Sequence, residues 1–313
     1  MEVITVDELP ERSLRRQVLA IGKFDGVHIG HRAILDAAMA NTADADLSVM
    51  SFTPHPVLVL TGQSTYRQVL TPLAQKGRLL TQYGVKRLYL VQFTREFAAT
   101  SAQSFVSLYL SRLNLSGIVV GSDFRFGQGG LATGATLQAL SQPLGIPVTI
   151  VSPVEQNGMK VSSSQIRKHL EAGRVEAAEA LLGHAYTVTG TVVQGDALGR
   201  TIGFRTANLA GFDEFVMPKP GVYAVSVEID GQHGGHWFGV ANAGYRPTVH
   251  GADFRFEIHL LGFHGDLYNK ILHVSFLRRI RDEQKFGDIS MLKDQIQRDV
   301  TLAKLMVGLD ANA

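Results

Sequence analysis

The sequence of 313 residues contains no cysteine, which excludes disulfides, thiolate metal sites and cysteine nucleophiles and is consistent with a reducing cytoplasm. No apolar run approaches the roughly 20 residues of a membrane-spanning helix, and the N-terminus lacks the apolar core of a signal peptide. The formal net charge of +2 is too small to indicate nucleic acid as the main partner. We therefore expect a cytoplasmic protein without a nucleic-acid or membrane partner, and a homo-oligomer is left open.

Two patterns of hydrophobicity divide the chain. Up to about residue 184, apolar runs alternate with helix-like segments, which predicts an α/β domain built on a doubly wound parallel sheet. From Tyr186 onward, short alternating runs between turn residues predict an antiparallel β-barrel, and residues 288–305 return to helical spacing. We therefore predict an α/β domain over residues 1–184 and a β domain with a C-terminal helix over 185–313. The predicted strands are 18–21, 47–52, 85–93, 117–121 and 147–151, then 186–193, 221–229, 237–243, 254–261 and 271–276.

The stretch from Val18 to Leu35 combines a buried strand, a loop broken by glycines and the start of a helix. A loop of this kind lets backbone N–H groups and the helix dipole hold a phosphate. His28 and His31 lie three residues apart at the helix start, so their imidazoles can face one point. Two nitrogen donors there suit a polyphosphate whose α-phosphorus is under attack, whereas the alternative is two structural histidines in a tight turn.

The string G-x-F-D-G-V-H-x-G-H in this stretch resembles the signature of the nucleotidyltransferase superfamily, in the form used by bacterial FAD synthetases. Residues 121–127 are similar to the flavin-side motif G-x-x-F-x-F-G of that family. Residues 162–167 match its second phosphate-gripping loop, S-S-[S/T]-x-I-R. His55 lies between two prolines where a predicted parallel strand ends, which is the edge of such sheets where ligands bind.

The resemblance implies that the first domain transfers AMP from ATP to FMN. The phosphate of FMN is already a nucleophile, so alignment and charge stabilisation suffice without a protein base. By resemblance, His28 and His31 hold the phosphates near the reacting phosphorus. The other residues implied on the ATP side are Gly22, Phe24, Asp25, Gly30, Ser163, Ser164 and Arg167, the last three at the leaving pyrophosphate. The residues implied on the flavin side are His55, Asp123, Phe124 and Phe126, of which the last three also suit the adenine.

Residues 199–208 resemble the riboflavin kinase motif G-R-x-x-G-F-P-T-A-N, and further matches follow in the order of that family. These later matches are Asn242, Gly244, Pro247, Thr248, Glu257, residues 266–268, Arg281 and residues 285–286. The two resemblances together cover nearly the whole chain. It is identified as a member of the bacterial bifunctional riboflavin kinase/FAD synthetase family, which implies ATP, riboflavin and FMN as substrates.

The second resemblance implies that the barrel phosphorylates riboflavin, whose alcohol needs a base to remove its proton. Glu257 matches the base of the family, on a strand that can point it into the mouth of the barrel. Thr206 and Asn208 supply oxygen ligands for Mg²⁺ that bridges the ATP phosphates. Gly199 and Gly203, with Thr206, are the implied phosphate contacts, because glycine lets the backbone come close. Asn242 and Arg281 are the implied flavin contacts.

Two positions depart from the pattern of the family. Arg205 stands where the kinase motif has proline, and its freer loop costs roughly 0.4–1 kcal/mol, which a cation near phosphates can offset. His184 stands where arginine is more usual. The first departure keeps an alternative open, an FAD synthetase whose weak or inactive barrel is a flavin-binding module. Another alternative is a cytidylyltransferase-like enzyme for a different phosphate ester. No G-x-x-x-x-G-K-[S/T] string occurs, so neither ATP site is a P-loop.

Overall fold

The structure, a computed structural model, describes residues 1–195, 203–231, 235–248 and 251–309. The chain divides into two compact units, Met1–Ser163 and Ser164–Ala313. Two helices, α7 (Ser163–Glu171) and α8 (Val175–Leu182), precede the first strand of the barrel. The predicted boundary at residue 184 separates two activities rather than two compact units, so it stays a prediction.

The first unit is built on a sheet of six parallel strands in the order β1-β4-β3-β2-β5-β8. Its strands are β1 (Glu2–Val6), β2 (Gln17–Ile21), β3 (Asp46–Thr53), β4 (Arg87–Gln92), β5 (Leu115–Gly121) and β8 (Val148–Val151). The chain moves from β2 to one side of the sheet and places β5 on the other side. The order therefore reverses between β2 and β5, and the crevice beyond their carboxyl ends is where ligands bind in such sheets.

Helices cover this sheet on both faces. They are α1 (Ile29–Met39), α2 (Pro56–Thr61), α3 (Leu73–Gln82), α4 (Arg95–Ala98), α5 (Ala102–Ser104, continued by a π-helical segment, Phe105–Tyr109) and α6 (Gly134–Ser141). Short strand pairs are β6 (Arg125–Phe126) with β7 (Ala132–Thr133) and β9 (Glu155–Gln156) with β10 (Met159–Lys160). Along β2, Val18 and Ala20 belong to one hydrophobic core, and Leu19 and Ile21 belong to the other. This alternation confirms the predicted doubly wound sheet.

The second unit contains a closed antiparallel barrel in the order β11-β12-β15-β14-β13-β16. Its strands are β11 (Tyr186–Val193), β12 (Ala207–Ala210), β13 (Gly221–Ile229), β14 (His236–Thr248), β15 (Gly251–Leu260) and β16 (Ile271–Arg281), and helix α9 spans Ile289–Met306. Aromatic rings fill the barrel: Phe276 contacts the rings of Tyr186, Tyr223 and Phe256. The barrel and its C-terminal helix were both predicted and are confirmed, although the short strand β12 was not predicted.

Candidate active sites

The loop from Gly22 to His28 leaves β2 at the point where the strand order reverses. Phe24 and Val27 have positive φ angles of 49° and 43°, and Gly26 has a φ of 94°. The left-handed region is costly for side chains such as Phe and Val. Both side chains are fully buried in the unit, so packing offsets the strain. The loop is therefore held in a shape that its residues would not adopt on their own.

Asp25 fastens this loop to the segment before α3. Its buried carboxylate Oδ1 accepts hydrogen bonds from the N–H groups of Leu70 (2.7 Å) and Thr71 (3.2 Å). The Gly26 N–H donates to Thr71 Oγ1 at 2.9 Å, and Ser163 Oγ donates to the Asp25 carbonyl oxygen at 2.7 Å. Asp25 and Ser163 thus support the loop from two sides. Their predicted contacts with ATP stay predictions.

His28 and His31 lie against each other at the start of α1. His28 caps the helix, and its Nδ1 accepts the N–H of His31 at 3.2 Å. The two rings stack with centroids 3.6 Å apart and an interplanar angle of 16°. Gly30 is required for this packing, because a Cβ there would lie 3.2 Å from Cε1 and Nδ1 of His28. The structure therefore brings the two predicted histidines together as one pair.

Both histidines are neutral at neutral pH. Burial lowers the pKa of His28 to about 4, although the charges of Asp25 and Asp123 raise it. Burial also lowers the pKa of His31 well below its ordinary value, and His28, Lys76 and Lys23 lower it further. Because His28 Nδ1 accepts a hydrogen bond, its proton sits on Nε2, where it can be donated to a phosphate oxygen.

The loop after β5 carries three predicted residues of the flavin side. Asp123 pairs with Lys160, with Oδ2 and Nζ 2.5 Å apart. Burial would raise the pKa of Asp123, but the hydrogen bond and charge of Lys160 outweigh it and hold the pKa below its usual value. The rings of Phe124 and Phe126 stack with centroids 5.4 Å apart. This loop thus combines charges with an aromatic face at the same crevice as the histidine pair.

A cavity of about 350 Å³ opens beside Phe126. Its lining residues are Ser101, Ala102, Phe126, Gly127, Gln128, Leu131, Ala132 and Thr136. Gly127 has a φ of 73°, and a Cβ there would lie 3.0 Å from the backbone nitrogen of Ala102. The volume of the cavity falls in the range of small-molecule pockets, roughly 300–1,000 Å³. His55 caps α2, and its ring stacks on Tyr66 with centroids 4.6 Å apart; its predicted contact with flavin stays a prediction.

In the barrel, predicted residues from four strands form one row. Asn208 on β12 pairs directly with Glu257 on β15, and Glu257 pairs directly with Asn242 on β14. The pairing continues from Asn242 to Val222 on β13 and from Val222 to Arg281 on β16. Directly paired residues place their side chains on the same face of a sheet. Strand register therefore collects residues that are up to 73 positions apart in the sequence.

This row lies on the outer face of the barrel. Phe256 and Ile258, on either side of Glu257, are fully buried, and Phe256 stacks on Phe276 within the barrel. Glu257 must point the other way, because successive side chains of a strand alternate. Val222 of the same row packs in the cluster under α9. The expected position of Glu257 in the mouth of the barrel is therefore corrected to the outer face of the barrel.

The segment before β12 is held close to this row. Asn208 packs against Gly195, where any Cβ would collide with its amide group. Gly203 has a φ of 91°, which glycine adopts readily. The Arg205 carbonyl oxygen lies 2.8 Å from His259 Nδ1, and the ring of Phe204 meets the His259 ring edge to face at 5.4 Å. Gly199 lies outside the described residues.

Arg281 joins strand β16 to helix α9. Its Nη2 and Nε donate to Oδ2 and Oδ1 of Asp299 at 2.7 and 2.9 Å, and Asp299 is only 2% exposed. Gln295 Nε2 also donates to Asp299 Oδ1, at 2.9 Å. The guanidinium thus positions α9 over the outer face of the barrel. A direct contact of Arg281 with flavin stays a prediction.

A family model described as FAD synthetase matches residues 11–165, and one described as riboflavin kinase matches residues 182–307. A bifunctional riboflavin kinase/FMN adenylyltransferase of Bacillus subtilis is 37% identical, over 91% of this chain and 90% of that protein. Its counterpart in Escherichia coli K12 is 41% identical over 93% of each chain. The chain belongs to the bifunctional riboflavin kinase/FMN adenylyltransferase family.

A solved structure agrees over the same length. A Streptococcus pneumoniae protein, described as a macrolide-efflux protein, is 34% identical with a TM-score of 0.88, covering 96% of this chain and 99% of that one. Within the described part of this chain, no helix is both long enough and apolar enough to span the bilayer. The predicted family is therefore confirmed. Because both family models match, the bifunctional interpretation is supported over the alternative of an inactive barrel.

Three side chains of the barrel carry oxygen donors of the kind that a hard cation binds. Among the described residues, no group of three His, Cys, Asp or Glu side chains is close enough to hold a metal. The available donors are the Thr206 hydroxyl, the Asn208 amide and the Glu257 carboxylate, the last two paired across β12 and β15. Such hard oxygens fit Mg²⁺, which keeps several waters and needs few protein ligands.

Two lysines of the first unit accompany its site without belonging to a predicted motif. Lys160 pairs with Asp123, and Lys76 is buried in α3 beneath the loop of the histidines. Lys76 lies four residues before the buried Leu80, so both occupy one face of the helix. The four-residue spacing from Leu80 was the signal in the sequence that Lys76 is buried. A lysine on an amphipathic helix is ordinarily exposed, however, so the signal is weak.

Of the remaining predicted residues, Ser164 and Arg167 lie on α7, and Arg167 is buried. Gly22 leaves room for the Phe24 ring, because a Cβ there would lie 3.2 Å from that ring. The roles that the family implies for these residues stay predictions.

Proposed function

We propose that the chain carries out both reactions of its family in two separate places. The barrel phosphorylates riboflavin to FMN, and the parallel-sheet unit adenylylates FMN to FAD with release of pyrophosphate. The observation that carries the proposal is the convergence of the implied residues into two distinct constellations, the stacked histidine pair and the row Asn208–Glu257–Asn242.

At the histidine pair, an oxygen of the FMN phosphate attacks the α-phosphorus of ATP, and the bond to the bridging oxygen of the β-phosphate breaks. His28 and His31 donate hydrogen bonds to the phosphates as charge shifts toward the pyrophosphate. A neutral imidazole still carries one N–H donor, which suffices for one hydrogen bond to a phosphate oxygen. The family resemblance assigns the outer phosphates to Ser163, Ser164 and Arg167. The cavity beside Phe126 is large enough for one end of the flavin.

At the barrel, the 5′-hydroxyl of riboflavin attacks the γ-phosphorus of ATP and ADP leaves. Glu257 accepts the proton of the hydroxyl as the bond to phosphorus forms. Asn242, paired with Glu257, orients the flavin side of the reactants. Arg281 acts on the same side, either by contact with flavin or by fixing α9 through Asp299.

Mg²⁺ is the cation that this donor set suits. Thr206 and Asn208 would hold it, with Gly199 and Gly203 giving the ATP phosphates access to the backbone. When bound, the ion neutralises charge on the phosphates. A cytoplasmic location, the absence of nucleic-acid and membrane partners, a possible homo-oligomer and the boundary at residue 184 also stay predictions.

One assay tests the proposal. Purified protein is incubated with riboflavin, ATP and Mg²⁺, and FMN and FAD are separated by chromatography over time. We expect FMN to appear first and FAD after it, and FAD alone when FMN replaces riboflavin. FAD from supplied FMN without FMN from riboflavin would reduce the barrel to a binding module. Omission of Mg²⁺, with a chelator present, should stop phosphorylation of riboflavin.

A further inference from the structure

Lys76 is a buried cation behind the histidine loop. Its ammonium donates to the carbonyl oxygen of Lys23 at 2.9 Å and to the hydroxyl of Ser51 at 3.3 Å. The same Ser51 hydroxyl donates to the Lys23 carbonyl at 2.9 Å. The three groups form a closed triangle between α3, β3 and the first residues of the loop. Lys76 and Ser51 are both buried, at 9% and 0% exposure.

The ammonium of Lys76 has only neutral partners. No carboxylate lies within ion-pair distance of it among the described residues. The negative charge of Asp25 raises the pKa of Lys76 and so favours its charged form. Asp25 Oδ1, however, already accepts hydrogen bonds from the N–H groups of Leu70 and Thr71. Burial accordingly lowers the pKa of Lys76. A buried charge without an ion-pair partner is costly, and an anion bound nearby would offset part of that cost.

The groups that shift the pKa of His31 indicate which kind of anion this site suits. The charged or titratable groups around its ring are His28 on the same helix, Lys23 on the loop and Lys76 on α3. Its Nδ1 is buried without a hydrogen-bond partner. Positive charge thus lies behind the histidine pair, and the N-terminus of an eleven-residue helix, α1, lies beside it. This arrangement is complementary to a polyphosphate in front of the pair.

We propose that Lys76 is a positioning residue for adenylyl transfer: its buried ammonium fixes the Lys23 end of the loop and provides the positive charge that the ATP polyphosphate offsets on binding. The proposal rests on the adenylyltransferase function proposed above for the first unit. Lys76 acts through the Lys23 carbonyl and through its field at His31. It therefore needs no contact with the substrate.

Lys76→Met and Lys76→Gln test the proposal in the full chain. Both remove the charge, and only glutamine keeps a hydrogen-bond donor for the Lys23 carbonyl. We expect the kcat of FAD formation from FMN to fall at least tenfold in both, with phosphorylation of riboflavin unchanged. Loss of the cation should also raise the pKa of His31, so the acid limb of kcat/KM moves to higher pH. Lys86→Met, at an exposed lysine, is the matched control and should match the parent.

Three outcomes overturn the proposal: FAD formation within twofold of the parent, loss of activity with an unmoved acid limb, or an equal loss in Lys86→Met. If Lys76→Met also loses kinase activity through misfolding, Ser51→Ala decides. That variant keeps the charge but removes one side of the triangle, so FAD formation should fall about threefold, and unchanged activity would contradict the proposal. A parent protein that forms no FAD from FMN would refute the proposed function itself before any variant is compared.

Discussion

The two candidate sites are assembled in opposite ways. In the parallel-sheet unit, the histidines, the strained loop and the helix start come from one continuous stretch, Gly22–His31. In the barrel, each of the paired residues Asn208, Glu257 and Asn242 comes from a different strand. The first site is therefore specified by local backbone conformation, and the second by the register between strands. Damage to one should leave the other unaffected, which gives each prediction an internal control.

The largest effect is expected from His28→Ala and His31→Ala. Each removes one proposed hydrogen-bond donor to the phosphates, and loss of such a donor typically costs 10²- to 10³-fold in kcat. FAD formation from FMN should fall by that amount, measured by chromatography of the products. Riboflavin phosphorylation in the same preparation should persist. His264→Ala, at an exposed histidine, is the matched control. A parallel fall of both activities in a folded protein would contradict the separation of the sites.

Glu257→Gln should have the opposite effect, a loss of FMN formation without a loss of FAD formation. Glutamine keeps the size of the side chain but cannot accept a proton, so FMN formation should fall about 10²-fold or more. FAD formation from supplied FMN should not change. Glu214→Gln, at an exposed carboxylate of the same unit, should behave as the parent in both assays. Unchanged FMN formation in Glu257→Gln would remove this residue from the mechanism.

The buried histidine makes the stability of the first unit depend on pH. The pKa of His28 is about 4 in the folded chain, against 6.5 for an ordinary histidine. Between these values the unfolded chain binds a proton that the folded one does not. The free energy of unfolding should therefore decrease as the pH falls from 6.5 to 4, by about 3 kcal/mol in total.

Urea titrations at several pH values measure this dependence. In His28→Asn the helix keeps a good N-cap but loses the titrating group. Its free energy of unfolding should vary less over the same pH interval. An equal slope in the variant and the parent would assign the pH dependence to other groups.

Gly195→Ala tests how tightly the row in the barrel is packed. A methyl group at this position collides with the amide of Asn208, which must move. We expect the KM for ATP of the kinase reaction to rise about tenfold, or 1.4 kcal/mol, with FAD formation from FMN unchanged. Gly117→Ala adds a methyl that meets only ordinary contacts, the nearest at 3.8 Å, and should leave the kinase unaffected. An unchanged KM for ATP in Gly195→Ala would place Asn208 outside the ATP site.

The smallest effect is expected at Arg205. The hydrogen bond and ring contact of His259 hold the loop there, so the missing proline is partly replaced. Arg205→Pro should change the KM for ATP of the kinase by less than about tenfold, because loop ordering and an exposed cation are both terms of order 1 kcal/mol. The proline variant should depend less on salt. Equal salt slopes at low and high ionic strength would mean that Arg205 points away from the phosphates.

The sequence predicted both folds and the membership of the family, because hydrophobic period and contiguous motifs are local properties. It did not predict β12, since Ala207–Ala210 is short and has little strand propensity. The sequence also led to the wrong position for Glu257, in the mouth of the barrel. Alternation along a strand separates two faces but does not show which of them is the interior. The structure was needed for that choice, which the buried neighbours Phe256 and Ile258 make.

The strained loop and its supports were also beyond the sequence. Nothing in a single chain indicates that Phe24 and Val27 have positive φ, since neither residue favours that region. The role proposed for Lys76 has no local signal, because it depends on a carbonyl oxygen 53 residues away in the sequence. These features arise from packing between distant parts of the chain. The motifs identify the site residues but not the residues that hold them in place.

The row across the barrel constrains how this gene can vary over evolutionary time. An insertion or deletion of one residue within β15 would bring Phe256 or Ile258 into line with Asn208 and turn Glu257 toward the aromatic interior. Single substitutions can be tolerated or repaired one at a time, but such a length change removes the proposed base from the row and places a carboxylate in the core in one step. Length variation in this region should therefore be confined to the connections between strands.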